Sequence, residues 1–447
     1  MKIKNFYNLL STCIFLISIL LLVFTFYRSE IIYNGVIREK YYIYYIISIL
    51  ISFFSIITFY LKHQKRGNIF LLFFSIIFTF YLIEILFQFV GENKIKTISK
   101  RINFNKDNTN QINIDKRSRY EFYLDQKKIN KNVVLSITPN IFLSESELSF
   151  LPLSGISNRE TIMCNENGYY VMYNSDRYGF NNQDEMWDNE IIDFVFIGDS
   201  YTHGACVNRS DTMSGNLREI SNKSVLNLGM AGSGPLLEYA IFKEYSINLN
   251  IKNLLLIFNS SDLVDLEIEK KNLILQKYIN EKDYYQNLKT KQENIDKFLI
   301  DFMHKKTIKL ENKKFDFIKL TKTRSLISKV FKSNKRSDIN KYQDYEMFSK
   351  IIKKIKNYSI SNEINFVIVY LPSHPDLIYE KKIIKKQSSF LKNISDEMNI
   401  TFIDVNEEIF KKYDNLNALL SYYVPYHINE KAYKMIAELI LSKINVK

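Results

Sequence analysis

Only three cysteines occur in this chain of 447 residues: Cys13, Cys164 and Cys206. A disulfide-dense scaffold is thereby excluded. Cys13 falls in an apolar segment, so Cys164 and Cys206 are left as a possible pair if their domain lies outside the cytoplasm. A clustered basic run is also missing. The formal net charge is +13, yet the lysines are scattered among Asn, Ile and Tyr. That scatter argues against a nucleic-acid partner and is the composition an A+T-rich genome would produce. A basic surface still suits anionic lipid or acidic glycan. No internal repeat is present, and oligomeric state is not legible.

What is abundant is apolar sequence at the start. Three runs, 6–27, 41–61 and 69–90, each approach the ~20 residues a helix needs to cross a bilayer. The first lacks the small-residue cleavage site of a signal peptide, and two further spans follow it. Three transmembrane helices are expected, forming an anchor over 1–91. Lys2 and Lys4 precede the first span, and Lys62-His-Gln-Lys-Arg66 separates the second from the third. Between spans one and two, Glu30 and Glu39 partly offset Arg28, Arg38 and Lys40. The positive-inside rule then places the N-terminus in the cytoplasm and everything beyond residue 90 outside it, periplasmic in a Gram-negative cell. Glu84 lies within the third span, where it is either functional or, more simply, snorkelling or protonated.

Residues 92–190 read as a polar linker and lead-in, with one strand at Tyr169-Tyr-Val-Met-Tyr173 and a loop at Asp176–Asn182. From about 191 the pattern changes. Apolar runs at Asp193–Ile197, Ser224–Leu228, Asn253–Phe258, Asn365–Leu371 and Thr401–Val405 alternate with helical segments. Buried parallel strands have this look, and the alternation predicts a doubly wound α/β sheet. Between the third and fourth strands, about 267–361, a Lys-rich stretch without Gly or Pro reads as a helical insertion.

Chemistry-bearing residues fall at the carboxyl ends of these strands, where open parallel sheets place their sites. The first strand runs into Gly198-Asp199-Ser200. A serine there lies at a helix start whose positive end favours developing negative charge; it is equally a plain N-cap. Gly198 permits the tight turn, and Asp199 can bond neighbouring N–H groups. The second strand ends in Asn227-Leu-Gly-Met-Ala-Gly232-Ser-Gly-Pro235, a loop able to point N–H groups at a ligand oxygen. The third ends in Phe258-Asn-Ser-Ser-Asp262-Leu. Near the C-terminus comes Val424-Pro-Tyr-His427-Ile-Asn-Glu-Lys-Ala-Tyr433, where His427 can serve as a base to a nucleophile on the first strand. His374, in Leu371-Pro-Ser-His-Pro375, is a rival base or part of a rigid turn. His203 reads as a helix-surface or rim residue.

These four pieces, in this order, resemble the four blocks of the SGNH/GDSL hydrolase superfamily over about 191–447. The resemblance implies Ser200 as nucleophile and His427 as general base. It implies an oxyanion hole of the Ser200 and Gly232 N–H groups with Ser261, and Asp199 and Asp262 as structural neighbours. It implies an acyl-serine intermediate and neither cofactor nor metal. Two positions depart from the pattern. Ser261 stands where the family has asparagine, with Asn259 two residues earlier. Val424 stands where an aspartate precedes the histidine, and Asp414 is too distant to replace it. A Ser–His dyad is therefore expected. The anchor adds the bilayer as a partner and a cell-envelope glycan or lipid-linked acyl ester as substrate class, for an esterase or O-acyltransferase. The other reading is a catalytically impaired glycan-binding or assembly module. A Cys164–Cys206 bridge would strap the lead-in beside the site.

Overall fold

The computed structural model describes residues 2–32, 38–104, 114–145, 148–311, 320, 323–324, 344–379, 381–423 and 426–444. The chain divides into two compact units: 1–91 with 315–328, and 92–314 with 329–447.

The first unit holds helices α1 (Lys2–Phe26), α2 (Tyr42–Tyr60) and the start of α3 (His63–Phe104). Three spans, Asn5–Ile31, Tyr42–Tyr60 and Lys65–Leu86, are long and apolar enough to cross a membrane. The association of α1 with α2 uses small polar side chains, as expected where lipid removes the hydrophobic drive between helices. Ser11 and Thr58 hydroxyls meet at 2.7 Å, Ser18 and Ser52 at 2.7 Å, and Ser55 Oγ donates to Ser11 O at 2.6 Å. Glu84 does not snorkel. It is buried, and its Oε2 accepts the Thr323 N–H and hydroxyl, each at 2.7 Å. A carboxylate that obtains donors within the protein has no need to reach the interface.

After the end of α3, the second unit continues with α4 (Arg119–Ile129), capped by a reciprocal Ser118–Glu121 box. Three short strands follow: β1 (Val134–Leu135), β2 (Glu160–Ile162) and β3 (Met172–Asn174), which pair in that order. The strand expected over 169–173 is confined to Met172–Asn174. Its beginning instead turns at Gly168, whose N–H is held by the Asn165 side chain.

The main sheet is parallel throughout. It contains β4 (Ile192–Gly198), β5 (Val225–Asn227), β6 (Ile251–Asn259), β7 (Asn365–Leu371) and β8 (Thr401–Asp404), in the spatial order β5-β4-β6-β7-β8. This is a doubly wound arrangement with its topological switch beside β4. Connecting helices are α5 (Ser200–His203), α6 (Met213–Ser221), α7 (Pro235–Ser246), α8 (Asp262–Glu269), α9 (Leu273–Asn280), α10 (Gln292–Glu311), α11 (Tyr345–Ser361), α12 (His374–Tyr379), α13 (Lys381–Glu397), α14 (Val405–Glu408) and α15 (Glu430–Lys443). Phe194–Ile197 and Leu254–Ile257 are essentially inaccessible, because helices cover both faces. The expected insertion carries α9, α10 and α11, with a non-helical stretch at 281–287 between α9 and the next turn.

The lead-in is built into this sheet rather than strung before it. Asn182 lies at the free edge of β5, donating Nδ2 to Asn227 O and accepting the Asn227 N–H, both at 2.8 Å. Its amide thus occupies an edge that would otherwise expose unpaired backbone. Asp176 holds the preceding loop, accepting from the Tyr178 and Phe180 N–H groups, Asn182 Nδ2 and Trp187 Nε1.

Candidate active site

The sheet's topology brings four strand-end loops together at one edge. At the end of β4 the chain turns within one residue. A Cβ on Gly198 would lie 2.1 Å from Thr202 Oγ1 and 2.8 Å from Ile257 O, so only glycine fits. Asp199 caps the next turn by accepting the Tyr201 N–H at 2.9 Å. The following helix is only Ser200–His203, a single turn. The expected helix-dipole contribution at Ser200 is correspondingly small, since few peptides are aligned.

Ser200 Oγ lies 2.9 Å from His427 Nε2 and 3.3 Å from Asp199 Oδ2. The histidine contact is the shorter, so the hydroxyl proton faces a base. On its other side, His427 Nδ1 lies 2.9 and 3.0 Å from the two Glu166 carboxylate oxygens. A carboxylate only accepts, which places the ring proton on Nδ1 and leaves the Nε2 lone pair for Ser200. Glu166 Oε2 also accepts the His427 backbone N–H at 3.1 Å.

The expected dyad is therefore corrected to a hydrogen-bonded array of three side chains. Val424, the position of the missing aspartate, lies outside the described residues. The acid comes instead from the lead-in, 34 positions before Ser200 in the chain. No spacing rule pointed to Glu166. The one available signal was its place two residues after Cys164.

Cys164 and Cys206 are joined by a disulfide that spans 42 residues. Cys206 Sγ lies within 4.8 Å of the facing Glu166 and His427 atoms. Other ties hold the same strap. Asn167 Nδ2 donates to Cys206 O at 3.1 Å, Asn167 Oδ1 accepts the Tyr422 N–H at 3.1 Å, and Glu166 O accepts the Tyr423 N–H at 2.8 Å. From the far side, Tyr201 packs edge-on against the His427 ring with centroids 4.9 Å apart. Its hydroxyl donates to Tyr426 O at 3.3 Å. Replacing both Cys164 and Cys206 by serine should destabilise the protein by about 4 kcal/mol from loop entropy alone. Turnover should fall as well, because Glu166 loses its anchor. Melting temperature and turnover measured with and without reductant check this; an unchanged pair of values would contradict the strap.

Of the other two histidines weighed in sequence, His203 departs from its expected place and His374 does not. His203 is buried, not at a surface or rim, and burial pushes it down to about 4. Its Nε2 meets the Tyr173 hydroxyl at 3.1 Å, and its Nδ1 accepts the Ala231 N–H at 3.4 Å. It thus ties the lead-in to the glycine-rich loop. His374 opens α12, and its N–H faces the Tyr201 hydroxyl at 3.3 Å. Among the described residues its ring makes no hydrogen bond with Ser200.

Gly232 has φ +75° and an N–H with no hydrogen-bond partner among the described residues. The expected side-chain oxyanion donor fares worse. Ser261 spends its only hydroxyl proton on Asn259 Oδ1 at 2.8 Å, and its N–H bonds the same oxygen at 3.0 Å. The Asn259 amide is turned into the sheet, where Nδ2 donates to Leu371 O at 3.0 Å. The Ser261 hydroxyl proton is committed, and the fully buried Asn259 amide is directed at the neighbouring strand. Asp262 braces this turn by accepting the Asn259 N–H on Oδ2 at 2.6 Å.

Near Ser200 lies a set of buried acids. Burial raises Asp199 to about 6, Asp265 to about 7 and Glu269 to about 8, and it raises Glu238 and Asp262 strongly. Glu269 holds the glycine-rich loop at its exit, accepting the N–H groups of Gly234, Leu236 and Leu237 at 2.6, 2.9 and 3.3 Å. Raised carboxyl groups bind a proton in the folded state that the unfolded chain has already released. Their stabilising contribution is complete below the ordinary value near 4 and is lost as pH rises through about 6 to 8. The melting temperature, read from the fluorescence of the single tryptophan, should therefore fall between pH 5 and pH 8.5. Glu269→Gln should flatten the upper part of that fall. A profile that stays level or rises over this range contradicts the assignment.

Fold and site together define a class by geometry: a doubly wound α/β domain with a serine–histidine–carboxylate array at the carboxyl edge of its sheet. Among solved structures the chain is similar to a protein assigned to the G-D-S-L lipolytic family from Desulfitobacterium hafniense DCB-2, at 16% identity and TM-score 0.35. It is similar also to the acetyl xylan esterase AlAXEase, at 12% and 0.34, and to a member of the lipolytic G-D-S-L family from Veillonella parvula DSM 2008, at 13% and 0.33. Each comparison covers 57% of this chain and all of the other. No protein-family model matches the sequence, and no curated protein does.

Proposed function

We propose that the protein is a membrane-anchored serine hydrolase of the SGNH type, acting as an esterase or O-acyltransferase on cell-envelope glycan or a lipid-linked acyl ester. One observation carries the reading: the His427 ring bridges Ser200 Oγ and the Glu166 carboxylate at 2.9 Å on each side. A serine so paired is activated for attack, since the base that takes its proton is itself held in the right tautomer.

In this mechanism His427 Nε2 takes the proton as Ser200 Oγ attacks the ester carbonyl. The N–H groups of Ser200 and Gly232 receive the oxyanion. The tetrahedral species expels the alcohol, which takes its proton from His427. Water or an acceptor hydroxyl then attacks the acyl-serine by the same route in reverse. Glu166 orients the ring and stabilises the imidazolium.

Two independent features support placement outside the cytoplasm. The short flanks of the apolar spans carry the positive charge bias. The Cys164–Cys206 bridge belongs to an oxidising compartment. The reading of an impaired binding module drew on two departures from the family pattern, and Glu166 removes one of them.

The test is covalent labelling of the purified full-length protein with a fluorophosphonate. Labelling at Ser200, absent in Ser200→Ala, is the expected result. A wild-type protein that does not react would overturn the proposal.

A further inference from the structure

The asparagine that the third strand's loop lacks has a counterpart elsewhere in the fold. A short turn of the lead-in, Pro139–Phe142, lies against the glycine-rich loop. If Gly232 carried a Cβ, that atom would sit 2.3 Å from Asn140 Nδ2, 2.8 Å from its Cγ and 3.1 Å from its Oδ1. The Asn140 carboxamide therefore occupies the space a side chain at 232 would need, with its nitrogen nearest. This gives a second reason for glycine there, beyond the positive φ.

The amide is oriented, and its donor is free. The Thr138 hydroxyl donates to Asn140 Oδ1 at 2.7 Å. Nδ2 has no hydrogen-bond partner among the described residues, and the side chain is exposed to solvent. The turn that carries it is anchored. Pro139 and Phe142 are buried, and Phe142 packs on Phe298 and Phe302 of α10 with ring centroids 5.1 and 4.8 Å apart. Leu143 O just beyond accepts from Asn272 Nδ2 at 3.2 Å. An amide held this way loses little entropy when it binds a developing charge, which is what an oxyanion donor requires.

We infer that Asn140 is a catalytic residue whose Nδ2 donates to the oxyanion beside the Gly232 N–H, taking the role from which Ser261 is withdrawn by its bond to Asn259 Oδ1 and Asn259 by its burial against β7. The inference rests on the serine-hydrolase reading. It also gives the lead-in a double role, since the segment that supplies Glu166 to the histidine also supplies an amide to the substrate oxygen.

The test uses the purified full-length protein in detergent with p-nitrophenyl acetate. Asn140→Ala and Asn140→Asp should each lower kcat about 10²–10³-fold, the usual effect of losing one oxyanion donor. KM and the melting temperature should be nearly unchanged. Inhibition by phenylboronic acid, a tetrahedral mimic, should weaken by a similar factor. Aspartate keeps the shape and the packing on Gly232 but cannot donate, so an Asn140→Asp variant with wild-type kcat would overturn the inference. So would a loss in Asn140→Ala that Asn140→Asp restores. A wild-type protein that labels with fluorophosphonate alongside Asn140 variants of full activity sinks this inference alone. A wild type that neither labels nor turns over sinks the hydrolase reading with it.

Discussion

Ser200→Ala should lower kcat on an activated acetyl ester by about 10⁴–10⁶-fold, while KM changes little. The size follows from what is removed. Without Oγ there is no acyl-enzyme, and the reaction must proceed by direct attack of water on a substrate held only by the oxyanion donors. The fold should tolerate the change. Among the described residues Ser200 Oγ hydrogen-bonds only His427 and Asp199, and the turn itself is held by Asp199 and the Tyr201 N–H. Kinetics on both proteins, with matched melting curves, check this. Full activity in the variant would remove Ser200 from the mechanism.

Glu166→Gln should lower kcat about 10⁴-fold, the effect of a wrong histidine tautomer. A glutamine can turn its NH₂ toward His427 Nδ1, which then carries the lone pair and leaves Nε2 protonated against Ser200. Glu166→Asp should keep a larger share of the activity, because a carboxylate at shorter reach still accepts the Nδ1 proton. Glu166 acts through His427 and so is a positioning residue. Its signature is a change in the pH profile of kcat together with the aspartate rescue, both of which a purely structural role would leave unmoved. If Glu166→Gln and wild type share one pH profile and one kcat, His427 is oriented by something else.

Both outcomes depend on a segment that precedes the sheet in sequence. Glu166, Asn140, Asn182 and the Cys164 end of the disulfide all lie in the lead-in. They meet respectively His427, Gly232, the edge of β5 and Cys206. The lead-in is thus the third wall of the site. The residues it lends the site are polar and separated by turns, so no periodicity marks them, although apolar lead-in side chains such as Phe142, Leu151 and Phe180 join the core.

Periodicity and local chemistry were enough for part of this protein. Apolar runs of bilayer length and short buried runs between amphipathic segments each impose one structure, because their burial admits no other. The turn at Gly198 was legible for the same reason: a strand that ends against a helix start needs a residue without a side chain. The rest waited on tertiary contacts. Ser261 has the chemistry of a donor, and only the fold commits its hydroxyl to Asn259 Oδ1. His203 looked exposed until Tyr173 and Ala231 were found against it. The acid of the site is Glu166 because a disulfide and three backbone or amide hydrogen bonds bring a distant loop to His427. A contact between residues 261 positions apart leaves no local trace, since neither partner's neighbours are constrained by it.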